Sequence, residues 1–301
     1  MLASIVPVIL LIMLGVAIRR AHWMPDDFFP SLEKFSYYIA FPALLFTGIA
    51  KLDFHGRLVG ELALATLLPT LIVVGLALLV LLFWRGLPDA SRSSVVQGAM
   101  RPNSYFGIAV SALFFPQQTA ALVMLALALC LPVVNMLSVL ALSWWSGRKA
   151  DMATVAKTLA TNPIILSTLA GIAASLLGLA LPVPLLNTLD ILAKSALALG
   201  LVCVGSGLVF SLEGLRPAAL ALASFLKLLV LPVVASRICA AFGVSEPVTL
   251  AACFYCALPT APNAYIMARQ LGGDARLMAA MITLQTLLAA ATIPLSRILS
   301  Q

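Results

Sequence analysis

The sequence predicts an all-α polytopic membrane protein of ten transmembrane helices. They are expected to form two inverted five-helix repeats, with crossing broken helices in the fourth and ninth spans. Three observations carry this expectation. Of the 301 residues, 62% are hydrophobic and 10% charged, whereas a soluble domain has about 25% charged and about 45–50% apolar residues. Apolar runs recur along the whole chain, most of them near the ~20 residues that cross ~30 Å of hydrocarbon. Finally, Pro102-Asn103-Ser104-Tyr105 returns 160 residues later as Pro262-Asn263-Ala264-Tyr265, each copy near the middle of an apolar run.

Taken in order, the spans lie at about 2–18, 33–50, 58–84, 93–115, 119–145, 162–180, 187–212, 217–242, 247–271 and 275–298. The first is read as a true span rather than a cleaved leader. No Lys or Arg precedes it, and no small-residue cleavage site follows before Arg19-Arg20. Short connections join most neighbours. The longest polar one, residues 146–161, holds Arg148, Lys149, Asp151 and Lys157. It reads as a cytoplasmic linker between a first five-helix repeat, 1–145, and a second, 162–301.

Further correspondences support the repeat. Pro7 followed by Gly15 matches Pro163 followed by Gly171, and Leu62-Ala63-Leu64-Ala65 matches Leu220-Ala221-Leu222-Ala223. The offsets drift from 156 to 158 to the 160 of the Pro-Asn pair, as short insertions would make them do. Five spans is an odd number, so the second copy enters from the opposite side and the repeat is inverted. With the N-terminus outside, the inner loops hold nine cations: Arg19, Arg20, Arg85, Arg92, Arg148, Lys149, Lys157, Arg216 and Arg276. The outer side holds four, Lys51, Arg57, Arg237 and Arg297. The positive-inside rule therefore expects both termini outside. The same distribution accounts for the net charge of +7 without a nucleic-acid partner, since no basic patch is dense.

The chemistry is expected at the two Pro-Asn breaks. A proline lacks the N–H of a helical residue and clashes with the carbonyl four residues back. Pro102 and Pro262 thus free the carbonyls of Gly98 and Leu258, and Pro259 that of Tyr255. Such a break is tolerated at depth only where it is buried in protein or lines a watery cavity, and paired breaks point to a transporter binding site. The half-helices that follow begin with free N–H groups and a positive dipole end, which together suit an anion. Asn103 and Asn263 offer amides there, unless they only cap the resumed turn. Arg101 sits directly before Pro102, and Lys227 lies about ten residues into the eighth span; a charge at such depth costs at least ~2.5–3.5 kcal/mol. Snorkelling is the ordinary alternative for Lys227. Asn135, three residues after Pro132, is a third polar candidate, or a hydrogen bond between helices.

No acid lies clearly at mid-depth. Glu61 and Asp190 begin their spans, and Asp190 with Lys194 has the acid-first spacing of a helical ion pair. The two histidines, His22 and His55, fall in loops. No metal site, cofactor site or nucleophile–base spacing is visible, so no enzyme is expected. The five cysteines lie in apolar runs. Cys253-x-x-Cys256 has no partner pair and reads as two buried thiols.

The chain resembles the auxin efflux carrier family in its bacterial branch, which includes malonate transporters. The text that carries the resemblance is Arg101-Pro102-Asn103-Ser104-Tyr105-Phe106-Gly107, Leu131-Pro132-Val133-Val134-Asn135 and Ala257-Leu258-Pro259-Thr260-Ala261-Pro262-Asn263-Ala264. Plant auxin exporters, and more distantly bile acid:sodium symporters, are relatives. The resemblance implies a scaffold of the first, second, sixth and seventh spans. It implies a transport domain of the third to fifth and eighth to tenth, sliding against the scaffold in elevator fashion. By matching position, Pro102, Asn103, Pro259, Pro262 and Asn263 take the crossover roles.

The expected function is secondary active transport of small organic anions, mono- or dicarboxylates such as malonate, coupled to protons or to the membrane potential. The alternatives are a sodium-coupled organic anion symporter and a non-transporting membrane sensor. The expected substrate-binding residues are Arg101, Pro102, Asn103, Asn135, Lys227, Pro259, Thr260, Pro262 and Asn263, with no metal or cofactor. The expected partners are a small organic anion and membrane lipid, with a homodimer allowed and no nucleic acid. The expected location is the bacterial inner membrane.

Overall fold

The computed structural model describes residues 2–25, 27–51, 57–146, 157, 160–179, 181–208 and 216–299. Most of the 146–161 connection, with Arg148, Lys149 and Asp151, lies outside the described residues, as does His55. The described chain is helical throughout. Its helices are α1 (Leu2–Arg20), α2 (28–49), α3 (Leu58–Phe83), α4 (Asp89–Met100), α5 (Ser104–Phe114) and α6 (Gln117–Ser146). These are followed by α7 (Pro163–Leu176), α8 (Val183–Ser206), α9 (Pro217–Phe242), α10 (Glu246–Cys256), α11 (Asn263–Leu271) and α12 (Ala275–Leu299). Four of these helices, α3, α6, α8 and α9, are long and apolar enough to cross a membrane by length and composition.

Prolines shape these helices in two ways. In α2 and α9 the helix continues but widens into a π turn, at Ser36–Ala40 ahead of Pro42 and at Leu226–Val230 ahead of Pro232. Widening relieves the clash between the proline ring and the carbonyl one turn back. At Pro102, and at Pro259 with Pro262, the helix stops instead. Arg101 is extended, with φ −73° and ψ 119°, as a residue before proline prefers, and α5 starts afresh at Ser104. Residues 257–262 separate α10 from α11 in the same way. Elsewhere punctuation is conventional. Asn162 caps α7, its Oδ1 accepting from the N–H groups of Ile164 and Ile165 at 2.9 and 3.4 Å. Gly243 and Gly272 end α9 and α11 at φ +61° and +83°, a left-handed close that glycine adopts without strain.

Two compact units emerge. The first holds Met1–Gly60, Tyr105–Ala128 and Ala153–Gly207; the second holds Glu61–Ser104, Leu129–Met152 and Leu208–Gln301. Each draws on both halves of the sequence.

In the first unit α1 lies against α8, and α2 against α7 and α8. Glycines set these approaches. A Cβ on Gly15 would overlap the Val202 carbonyl, and one on Gly205 the Ile12 carbonyl, so α1 and α8 meet backbone to backbone. Gly171 of α7 lies near the Phe46 carbonyl and Ile49 of α2 less tightly, an added Cβ standing 3.1–3.3 Å from them. Small residues permit such close packing where no hydrophobic effect drives helices together.

In the second unit α4 packs on α9, α11 and α12, and α10 on α9 and α12. On α3 two threonine hydroxyls turn back onto their own helix, Thr66 Oγ1 donating to the Leu62 carbonyl at 2.6 Å and Thr70 Oγ1 to that of Thr66 at 2.7 Å. On α3 the apolar side chains of Leu71, Ile72, Leu76, Leu79, Leu82 and Phe83 are exposed, which suits lipid rather than water. All five cysteines are buried and free.

Candidate functional site

The second unit brings the two breaks together. The Asn103 N–H donates to the Pro259 carbonyl at 2.7 Å, joining the interruption after α4 to the one after α10. The carbonyl freed by Pro102 is also satisfied. Gly98 O accepts from Thr260 Oγ1 at 2.9 Å and from Gln285 Nε2 at 3.0 Å. Gln285 Oε1 in turn accepts from the Thr260 N–H at 2.9 Å and lies 2.7 Å from its hydroxyl. Gln285, from the middle of α12, therefore clamps both breaks, and both it and Thr260 are fully buried. A side chain on Gly98 would run into the Met281 sulfur and the Ala223 methyl, so glycine is what lets α4 approach α9 and α12 here.

Arg101 projects from the first break into a polar nest. Its guanidinium donates to Asn135 Oδ1 at 2.9 Å, to Asn263 Oδ1 at 3.3 Å and to the Met267 sulfur at 2.6 Å. The guanidinium-bearing side chain is buried at 2% exposure, Asn135 is half-buried and Asn263 is exposed. The cation thus sits behind two amides, one of which opens to the surroundings. Asn263 is not a cap, because α11 has no side-chain cap bond and its amide oxygen faces Arg101.

Lys227 is wholly buried, and its ammonium donates to the Met100 carbonyl at 3.4 Å, one residue before Arg101. Snorkelling is therefore not its fate. The π turn at Leu226–Val230 carries it. Neither Arg101 nor Lys227 has an ion pair among the described residues; the ion pairs there are Lys51–Asp190 and Arg92–Asp89.

The residues singled out from sequence thus occupy distinct places. Arg101 donates to both Asn135 and Asn263. Lys227 reaches the edge of the same break. Asn103 is buried and its backbone ties the breaks, through Pro259. Thr260 is spent on the Gly98 carbonyl and on Gln285, while Pro102 and Pro262 set the shape. Sequence reading missed Gln285 and Met267. An intramembrane glutamine, at position 285, was the available signal for the first; nothing marks Met267 among ten methionines.

Replacing Gln285 with Leu keeps the volume but leaves the buried Thr260 N–H with no acceptor. An unmade buried hydrogen bond costs about 1–3 kcal/mol, so Gln285→Leu is expected to lower the melting temperature by several degrees and to loosen the breaks. Thermal unfolding of the detergent-solubilised protein checks it; an unchanged melting temperature would show that the clamp contributes nothing.

Comparison with known proteins bears on what kind of protein this is. Residues 150–297 match the membrane transport protein family. Over 302 aligned residues the chain is 28% identical to a Rhizobium meliloti (strain 1021) protein named "Putative malonate transporter", covering 96% of this chain and 92% of the relative. Over residues 150–297 the chain is thus similar to membrane transport proteins, and the family match and the relative's name both indicate a membrane transporter rather than an enzyme.

Proposed function

We propose that the protein is a secondary active transporter of small organic anions, mono- or dicarboxylates such as malonate. In this reading it sits in the bacterial inner membrane with both termini outside, and works by elevator-type alternating access driven by protons or the membrane potential. One observation supports the choice of an anion above all others. Two buried cations, Arg101 and Lys227, stand at the joined breaks with no carboxylate paired to either among the described residues. An uncompensated buried charge is strongly unfavourable, and a carboxylate substrate would compensate it. The guanidinium fork matches a carboxylate with two parallel hydrogen bonds. The name of the Rhizobium meliloti relative makes malonate the first compound to try.

The inverted repeat belongs to the same proposal. Gly15 and Gly171, equivalent by sequence, each sit at a close approach, α1 on α8 and α7 on α2. Exchange of the two repeats turns the first pair of spans, one and seven, into the second, six and two. The crossing point would then lie near the middle of the bilayer, where half-helices of about ten residues, or 15 Å, would end.

Uptake of radiolabelled malonate into proteoliposomes tests the proposal, with an imposed potential or pH gradient and with sodium present or absent. Saturable uptake without sodium is expected. Binding with no flux would support a sensor instead, and flux that requires sodium would support a symporter. Within the site, Asn263→Ala is expected to weaken malonate binding roughly 10- to 150-fold, the equivalent of one hydrogen bond to a charged group at about 1.5–3 kcal/mol. The fold should survive, since Asn263 is exposed. Unchanged affinity would remove it from the site.

A further inference from the structure

The first unit holds a cavity of about 340 Å³ between the end of α2, the end of α5, the start of α6 and the start of α8. Its size is at the lower end of the ~300–1,000 Å³ of small-molecule sites. Phe115 and Met124 are among its apolar walls, and its polar groups are Lys51, Asp190, Lys194, Gln117 and Thr47, whose hydroxyl donates to the Ala43 carbonyl of its own helix at 2.9 Å. The helical spacing of Asp190 and Lys194 suggests that they neutralise each other. The structure pairs them otherwise. Lys51, just past the end of α2, reaches across to Asp190, with Nζ 3.7 Å from Oδ1. Lys194 is left with no ion pair among the described residues, and it still lines the cavity.

We propose that this cavity is a second, weaker carboxylate site, with Lys194 as its cation and the Gln117 amide as a neutral donor. The choice of ligand rests on the reading of the protein as an organic anion carrier. The Lys51–Asp190 pair contributes no net charge, so the cavity carries one positive charge. Apolar walls concentrate that charge on whatever enters, because a low-dielectric surround strengthens its field. Lys194 is exposed, and a solvated, monodentate ammonium holds a carboxylate less firmly than the buried guanidinium of Arg101 does. The site is therefore a weak one. Asp190 works against it, and Lys51 offsets Asp190.

Equilibrium binding of radiolabelled malonate to the purified full-length protein at low ionic strength tests the proposal. Two classes of site are expected, separated by at least tenfold in affinity. Lys194→Gln should abolish the weaker class and leave the tighter one. Asp190→Asn removes the opposing charge and frees Lys51, so it should tighten the weaker class by roughly two- to tenfold. A single class in the unaltered protein, survival of the weaker class in Lys194→Gln, or a weaker class that loosens or stays unchanged in Asp190→Asn would each overturn the proposal. Arg101→Gln separates it from the reading on which it rests: loss of the tighter class alone supports both sites. Persistence of the tighter class would remove Arg101 from the principal site while leaving the cavity to be judged by the Lys194 and Asp190 variants.

Discussion

Arg101→Gln is expected to lower malonate affinity by about 100-fold or more while leaving the unliganded protein at least as stable as before. The two halves of this expectation have one cause. The guanidinium is buried at 2% exposure and is held by two amide oxygens and a sulfur, none of which carries a charge. Neutral acceptors only partly replace the water lost on burial, so the charge is a burden until an anion arrives. Glutamine removes the burden and can still donate to Asn135 or Asn263. It also removes the two charge-assisted bonds of the fork, each worth about 1.5–3 kcal/mol. Arg101→Lys keeps the charge without the fork and should fall between the two. The measurement is melting temperature with and without malonate, since a ligand that binds only the folded state stabilises it by RT ln(1 + [L]/Kd). The unaltered protein should show a malonate-induced rise, Arg101→Lys a smaller one and Arg101→Gln none, with sodium making no difference to any of them. Equal rises in all three proteins, or a rise that requires sodium, would refute the role given to Arg101 and favour a sodium symporter. A fall in the unliganded melting temperature of Arg101→Gln would mean that the guanidinium is structural.

Much of the helical layout was legible because apolar run length and proline chemistry act locally. Each break and each boundary can be argued from residues within one turn, as with the extended Arg101 before Pro102 or the Asn162 cap before Pro163. The π turns were not legible, although their causes, Pro42 and Pro232, are in plain view. Whether a proline stops a helix or only widens it depends on whether neighbours can satisfy the carbonyls it frees. At Gly98 the acceptor is served by Thr260 and Gln285, from 162 and 187 residues away. That distance is also why Gln285 went unseen: it lies in an unbroken apolar helix with no local feature to mark it.

The site was legible in its composition but not in its wiring. That Arg101, Asn135 and Asn263 are unusual at depth follows from the expense of burying polar groups. That Asn135 and Asn263 turn their oxygens to the same guanidinium follows only from the packing of α6 and α11 about the first break. The ion pair of Asp190 shows the reverse failure. Helical spacing favours Lys194 by a few tenths of a kcal/mol, a preference small enough for Lys51 at the end of a neighbouring helix to override.

Gly205→Val is expected to be the most damaging single substitution outside the site, reducing the yield of monodisperse protein severely. Gly205 faces the backbone of α1 at Ile12, and Gly15 of α1 faces the backbone of α8 at Val202 and Ser206. An added Cβ meets main-chain atoms on both counts, and a main chain cannot rotate aside as a flexible side chain can. Overpacking a tight contact costs typically about 1–3 kcal/mol when side chains can adjust. Here the whole of α1 must move away from α8, along a contact that also includes Gly15, so the loss should exceed that range. Gly15→Val should do comparable harm, and the double variant little more than either alone, because both open the same interface and coupled sites are not additive. Gly75→Val on α3 is the control: it adds the same two methyls and one β-carbon to a transmembrane helix, but nothing lies within 4 Å of the position. Size-exclusion profiles and melting temperatures of the four variants and the unaltered protein decide the matter. Gly75→Val should behave as the unaltered protein does, and a Gly205→Val variant equal to it in yield and stability would show that α1 and α8 do not meet backbone to backbone.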